Sequence, residues 1–118
     1  PDGLELQSEF KTTGKARRLA PVIENNVLRI GQEAITNATR HAQARHVIVS
    51  MDWGERELHL KVSDDGKGFD ATRPPASAGS FGLMGMRERA TELKARFEIV
   101  SSRGSGTEVR LFVPLVTD

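Results

Sequence analysis

Leu58, Leu60 and Val62 alternate with His59, Lys61 and Ser63, and the row runs straight into Asp64-Asp65-Gly66-Lys67-Gly68-Phe69. Strand side chains point to opposite faces in turn, so Leu58, Leu60 and Val62 share one buried face and Asp64 continues it. This predicts a sheet with one face in the core and a carboxylate at the end of that face. A buried charge is costly unless a donor reaches it. The glycines that follow let backbone or a ligand come close. Asp-Asp-Gly is also good turn chemistry, so the stretch reads either as a turn or as a strand-end acceptor for a ligand's donor.

The rest of the chain supplies the layer that such a sheet needs. Leu4 to Phe10 alternates weakly and reads as a short, edge-like strand, with Lys11 to Arg18 as a basic loop. Pro21 suits a helix's first turn. Ile23, Val27, Ile30, Ala34, Ala38 and Ala42 then follow three- and four-residue steps, predicting one long helix from Pro21 to about Ala42. His46 to Trp53 and Glu57 to Ser63 read as a hairpin, with Trp53 a partly buried sheet aromatic. Asp70 to Ser80, with Pro74, Pro75 and Gly79, reads as a mobile loop. Leu83 to Ala95 reads as a second helix, Phe97 to Ser101 as a strand and Arg103 to Gly106 as a turn. Thr107 to Pro114 is the last strand, with Val109, Leu111 and Val113 on one face. The order predicts an α+β fold: a two-layer sandwich with a mixed or antiparallel sheet and its helices on one face. It lacks the regular alternation of a doubly wound sheet and carries no Gly-x-x-x-x-Gly-Lys-Ser/Thr loop.

At 118 residues the chain suffices for one domain with a real core, so 1–118 reads as a single unit. Seventeen basic and sixteen acidic residues give a net charge of +1, and this balance offers no argument for nucleic acid or an anionic membrane. No cysteine is present, which excludes disulfide and thiolate chemistry and permits a cytoplasmic setting. No apolar run reaches membrane-spanning length, so no direct membrane contact is expected of this piece. The start at Pro1 reads as an excised fragment, or as methionine removal before proline.

Three groups of residues can carry chemistry. Glu33, Asn37 and His41 lie four apart on one helix face. Such a stripe is either a solvated helix face or a site for a hard cation, for which Asn37 supplies an oxygen. Gly79 to Gly85 leads into a helix start, where backbone amides favour anions, or it is an ordinary loop with Met84 and Met86 in the core. Gly104-Ser105-Gly106-Thr107 is a hairpin turn, or places a hydroxyl against a phosphate or against Asp64. His46 and His59 lack metal-ligand spacing and read as surface residues.

Taken together and in this order, these segments resemble the ATP-binding domain of the GHKL superfamily, the Bergerat fold of sensor histidine kinases, DNA gyrase, heat-shock chaperone ATPases and MutL proteins. Gln32-Glu33-Ala34-Ile35-Thr36-Asn37-Ala38-Thr39-Arg40-His41-Ala42 is similar to the N-box of the histidine kinases that partner NarL/LuxR-type response regulators. Gly82-Leu83-Met84-Gly85-Met86-Arg87-Glu88-Arg89 is similar to that group's second glycine box. The resemblance covers about residues 19 to 114. It implies an ATP and Mg²⁺ site in which Asp64 accepts from adenine's amine and Gly66 and Gly68 shape the pocket. Asn37 would ligate Mg²⁺, Glu33 would act as the catalytic carboxylate, and Arg40 and His41 would lie near the phosphates. Gly82 and Gly85 would line the phosphate end, Leu83 would also bind the nucleotide, Thr107 would support the adenine end, and Asp70 to Ser80 would be the lid. Ser80 stands where many relatives have glycine.

The resemblance further implies a protein histidine kinase with two partners: a helical dimerisation and phosphoacceptor domain of the same kinase, and a NarL/LuxR-type response regulator. No acceptor hairpin precedes Leu4, so the isolated domain is expected to lack autophosphorylation. The expected location is cytoplasmic, as part of a full-length protein that a membrane anchor can hold. Two other readings stay open: an anti-sigma factor and serine kinase of the same superfamily, or an α+β scaffold without nucleotide.

Overall fold

The computed structural model describes residues 6–70 and 82–115. Five strands form one mixed sheet: β1 (Gln7–Gly14), β2 (His46–Trp53), β3 (Glu57–Asp64), β4 (Arg96–Ser101) and β5 (Thr107–Pro114). Their spatial order is β1-β2-β3-β5-β4. β1 runs parallel to β2, and the other pairs are antiparallel. Two helices, α1 (Pro21–Thr36) and α2 (Leu83–Glu92), complete the layer pair.

The alternating rows place the core. In the β3–β5 register Leu58 faces Val113, Leu60 faces Leu111 and Val62 faces Val109, and all six are buried. Val27, Ile30, Ala34 and Ala38 press on this row from the first helical segment, with Met86, Ala90 and Leu93 beside them from the second. The three- and four-residue steps put each apolar set on one helical stripe. Both helices therefore share one core with one sheet face, as the α+β sandwich predicts. The other face carries polar contacts, with Arg96 stacked 4.0 Å over the Phe112 ring and Arg110 paired to Glu98 and Glu108.

Three boundaries differ from expectation. The first strand lies at Gln7–Gly14 rather than Leu4 to Phe10, and so takes in Lys11 to Gly14, expected as loop. Every residue of β1 is exposed, Phe10 included. It is held by its parallel backbone pairing from Gln7↔His46 to Gly14↔Trp53, and burial leaves no pattern in its side chains. The long helix ends as an α-helix at Thr36 and continues as a π-helical turn over Asn37–His41. The second helix stops at Glu92, three residues early, because Lys94 turns to φ 55°. The expected lid and Ser80 fall, beyond Asp70, outside the described residues.

Candidate nucleotide site

A cleft opens where the end of β3, the π-helical turn and the start of β5 meet. It takes in ≈ 530 Å³ of empty space, open solvent included. Val62, Val109 and Ile99 form its apolar floor, and Ala34 and Ala42 its helical wall. Asn37, His41, Asp64 and Thr107 are the polar groups at its edge.

Asp64 sits at the end of the buried row, opposite Val47 on one side and Thr107 on the other. The Gly66 amide donates to Asp64 Oδ1 at 2.8 Å. Burial pushes the Asp64 carboxyl above its ordinary value, and backbone bonds from Gly66 and Thr107 oppose that rise. The carboxylate is thus fixed in place at the edge of an apolar cleft, the setting in which an ionised acceptor gains most from an added donor.

The loop after Asp64 is tied on three sides. The Lys67 amide donates to Ala42 O at 2.9 Å, and Gly104 N donates to Lys67 O at 2.6 Å. The Phe69 amide donates to Ser101 Oγ at 2.9 Å, and that hydroxyl also meets Gly106 O and Thr107 Oγ1. The two glycines serve these close approaches. A Cβ at Gly66 would lie 2.5 Å from the Ala42 carbonyl oxygen, and one at Gly68, where φ is +64°, would lie 2.1 Å from Ser102 O.

The remaining side is held by Asp65. Its Oδ1 accepts from the Arg45 and His46 amides at 2.8 and 2.9 Å, and its Oδ2 meets His46 Nδ1 at 2.8 Å. The His46 side chain and amide hold the Asp65 carboxyl well down, to about 2. A carboxyl lowered on folding adds stability above its ordinary pKa of 3.8 and loses it as pH falls toward 2. Asp65→Asn is therefore expected to be less stable than the unaltered chain at pH 6, with the gap closing between about pH 4 and 2. Urea midpoints across that range check this, and a gap independent of pH would contradict it.

The remaining expected residues divide into two groups. Glu33, Gly82 and Gly85 line a second, polar recess beside the cleft, between the two helices, together with Arg29, Thr36 and Arg89. Gly82 has φ +62°, and a Cβ there would lie 2.6 Å from Glu33 Oε2, so the glycine lets the carboxylate rest on the start of α2. Leu83 faces the first cleft. Arg40 is exposed on the π-helical turn and lines neither space. Gly85 lies along the helix with nothing within 4 Å of a Cβ built on it. Ser101, Asp65 and His46 also organise the site, and no sequence motif marks them. A serine and a histidine with no motif spacing carry no signal in one dimension, and Asp65 was absorbed into the turn.

A mixed sheet roofed by two helices on one face, with a cleft at a strand-end carboxylate, defines a two-layer α+β sandwich with a small-molecule cleft. The model of the histidine kinase-, DNA gyrase B- and HSP90-like ATPases matches residues 23–117, and the chain belongs to that family. It is 36% identical over 110 residues to the signal transduction histidine-protein kinase/phosphatase DegS of Brevibacillus brevis, covering 93% of this chain and 28% of that protein. It is 41% identical over 93 residues to the sensor histidine kinase LiaS of Bacillus subtilis, covering 79% of this chain and 25% of that protein. The chain thus spans between a quarter and a third of these relatives. In fold it resembles the histidine kinase AdeS of Acinetobacter baumannii, with a TM-score of 0.78, 17% identity, and 97% of this chain and 56% of that one covered. The histidine kinase domain of the Erythrobacter litoralis EL346 blue-light activated kinase gives a TM-score of 0.71 at 21% identity, with 92% and 55% covered.

Proposed function

We propose that this chain is one domain of a longer sensor histidine kinase, and that it holds Mg-ATP for phosphoryl transfer to a histidine on a separate helical dimerisation domain. The observation that carries the reading is Asp64, a fixed, half-buried carboxylate at the edge of an apolar cleft. Adenine has a flat apolar body and one exocyclic amine, which suits an apolar floor with a single strong acceptor. Asn37 stands on the cleft and Glu33 on the recess next to it. Mg²⁺ keeps waters and phosphate oxygens and asks few ligands of the protein. Asn37 would be its protein ligand, and the ion's contribution is neutralisation of phosphate charge.

The chain's own residues orient the substrate. Asp64 and Thr107 fix the base, the π-helical turn sets Asn37 and His41 on the cleft's edge, and Glu33 stands ready to order a water or the acceptor side chain. Phosphoryl transfer rests chiefly on such positioning and charge neutralisation. The acceptor histidine would come from the dimerisation domain, and a NarL/LuxR-type response regulator would receive the phosphoryl group. Use of ATP would put the domain on the cytoplasmic side of the full-length protein. No helix among the described residues is long and apolar enough to cross a membrane. The anti-sigma reading is not favoured, since these curated relatives are named as histidine kinases.

Joining the chain behind the dimerisation hairpin of a relative such as DegS, then supplying γ-labelled ATP, tests this. The expected product is an acid-labile, alkali-stable phosphate on the hairpin. Acid-stable phosphoserine, or no transfer by a fusion that binds ATP, would contradict it.

A further inference from the structure

The polar recess between α1 and α2 carries a charge pattern that the cleft does not explain. Arg29 and Arg89 both line it, facing a single carboxylate, Glu33. Among the described residues neither arginine has a carboxylate oxygen within ion-pair distance. Like charges that share a recess repel each other, and an anion bound between them relieves the repulsion.

Arg89 is also held. Its Nη1 donates to Asn26 Oδ1 at 3.0 Å, and Asn26 Nδ2 donates to Glu92 Oε1 at 3.0 Å. Asn26 is only 3% exposed and is the single buried polar residue among those described. A buried amide satisfied on both sides is a rigid anchor. It ties one end of the Arg89 fork and leaves the remaining N–H groups for another acceptor.

His41, Asn37, Glu33 and Arg29 follow one another at four-residue steps back along the first helical segment, the first two on the cleft and the last two on the recess. Arg29 stands roughly 12 Å along the helix axis from Asn37, at 1.5 Å per residue. A ligand whose base sits on Asp64 and whose phosphates pass Asn37 would carry its last phosphate into this space.

We propose that Arg29 and Arg89 bind the terminal phosphate of the nucleoside triphosphate and make the site prefer triphosphate over diphosphate. Arg89 does so from a position set by Asn26 and Glu92. A planar guanidinium suits two phosphate oxygens at once. The inference rests on the nucleotide reading above and deepens it.

Titration of the chain and its variants with Mg-ATP, Mg-ADP and adenosine is the test. In Arg89→Gln and Arg29→Gln, ATP affinity is expected to fall about tenfold or more, the range for a lost charge-assisted bond. ADP and adenosine are expected to change by less than about twofold. Arg89→Lys keeps the charge but not the fork, and should recover part of the ATP preference. Equal losses for ATP and ADP, or no loss for ATP in either glutamine variant, would overturn the proposal. Arg29 makes no hydrogen bond to a described residue, so Arg29→Gln carries the test if Arg89→Gln proves unstable. An unaltered chain that binds none of the three would instead overturn the nucleotide reading, and this inference with it.

Discussion

Asp64→Asn is expected to lose ATP affinity by between about tenfold and a hundredfold, the range for removing a charged acceptor from a buried bond. It should also lose most of its preference for ATP over GTP. The carboxylate can only accept, which matches the adenine amine and opposes the guanine carbonyl at the same place. A carboxamide can turn either edge to the base, so discrimination collapses along with affinity. The unaltered site should reject GTP by at least about a hundredfold, because a site built around one hydrogen bond leaves that group unpaired with the wrong base. The fold should survive, since the asparagine oxygen can still accept from the Gly66 amide that now donates to Asp64 Oδ1. Calorimetry with both nucleotides, beside a melting curve, checks this. Unchanged selectivity in the variant would remove Asp64 from base recognition.

Gly68→Ala is expected to be the most damaging single-methyl change in the site. The backbone there has φ +64°, and the added Cβ would lie 2.1 Å from Ser102 O and 2.8 Å from Gly106 O. Both are backbone atoms of the β4–β5 turn and cannot swing aside as a side-chain tip could. A left-handed non-glycine residue alone costs about 1–2 kcal/mol, and the displaced turn adds to that, so a loss of at least about 2 kcal/mol should appear in the urea midpoint. Displacing the turn also disturbs Thr107 and with it the edge of the cleft. Gly85→Ala is the internal comparison. Nothing lies within 4 Å of its Cβ and the position is helical, so stability should rise by about 0.5–1 kcal/mol. Equal effects for the two changes would show that the Gly68 approach is not a constraint.

These contacts mark the boundary of what was legible in one dimension. The row of Leu58, Leu60 and Val62 and its partners in β5 could be read because one sheet face is buried, and burial writes itself as alternation. The strand-end place of Asp64 followed from the same row. β1 could not be read correctly, because all its residues are exposed and it is held chiefly by its backbone pairing, with one side-chain bond from Thr13 to Asp52. The π-helical turn leaves no mark either, since Glu33, Asn37 and His41 keep a spacing that an α-helix would also show. What the glycines do was half visible. Asp-x-Gly-x-Gly signals close approach, while the atoms approached, Ala42 and Ser102, come from distant segments. The Asp65–His46 clamp and the Ser101 hydroxyl depend wholly on such tertiary meetings. So does the separation of Glu33 into a recess of its own, beside two arginines whose pairing could not be foreseen.

Direct titration of the purified chain with Mg-ATP in a calorimeter tests the central claim most plainly. A saturable heat of one nucleotide per chain is predicted, competed by ADP and weakened when the metal is chelated, with a melting temperature that rises as sites fill. A ligand at about a hundred times its dissociation constant stabilises the folded state by roughly 2.7 kcal/mol, so the rise should be plain. A flat titration and an unmoved melting temperature at millimolar Mg-ATP would contradict the account.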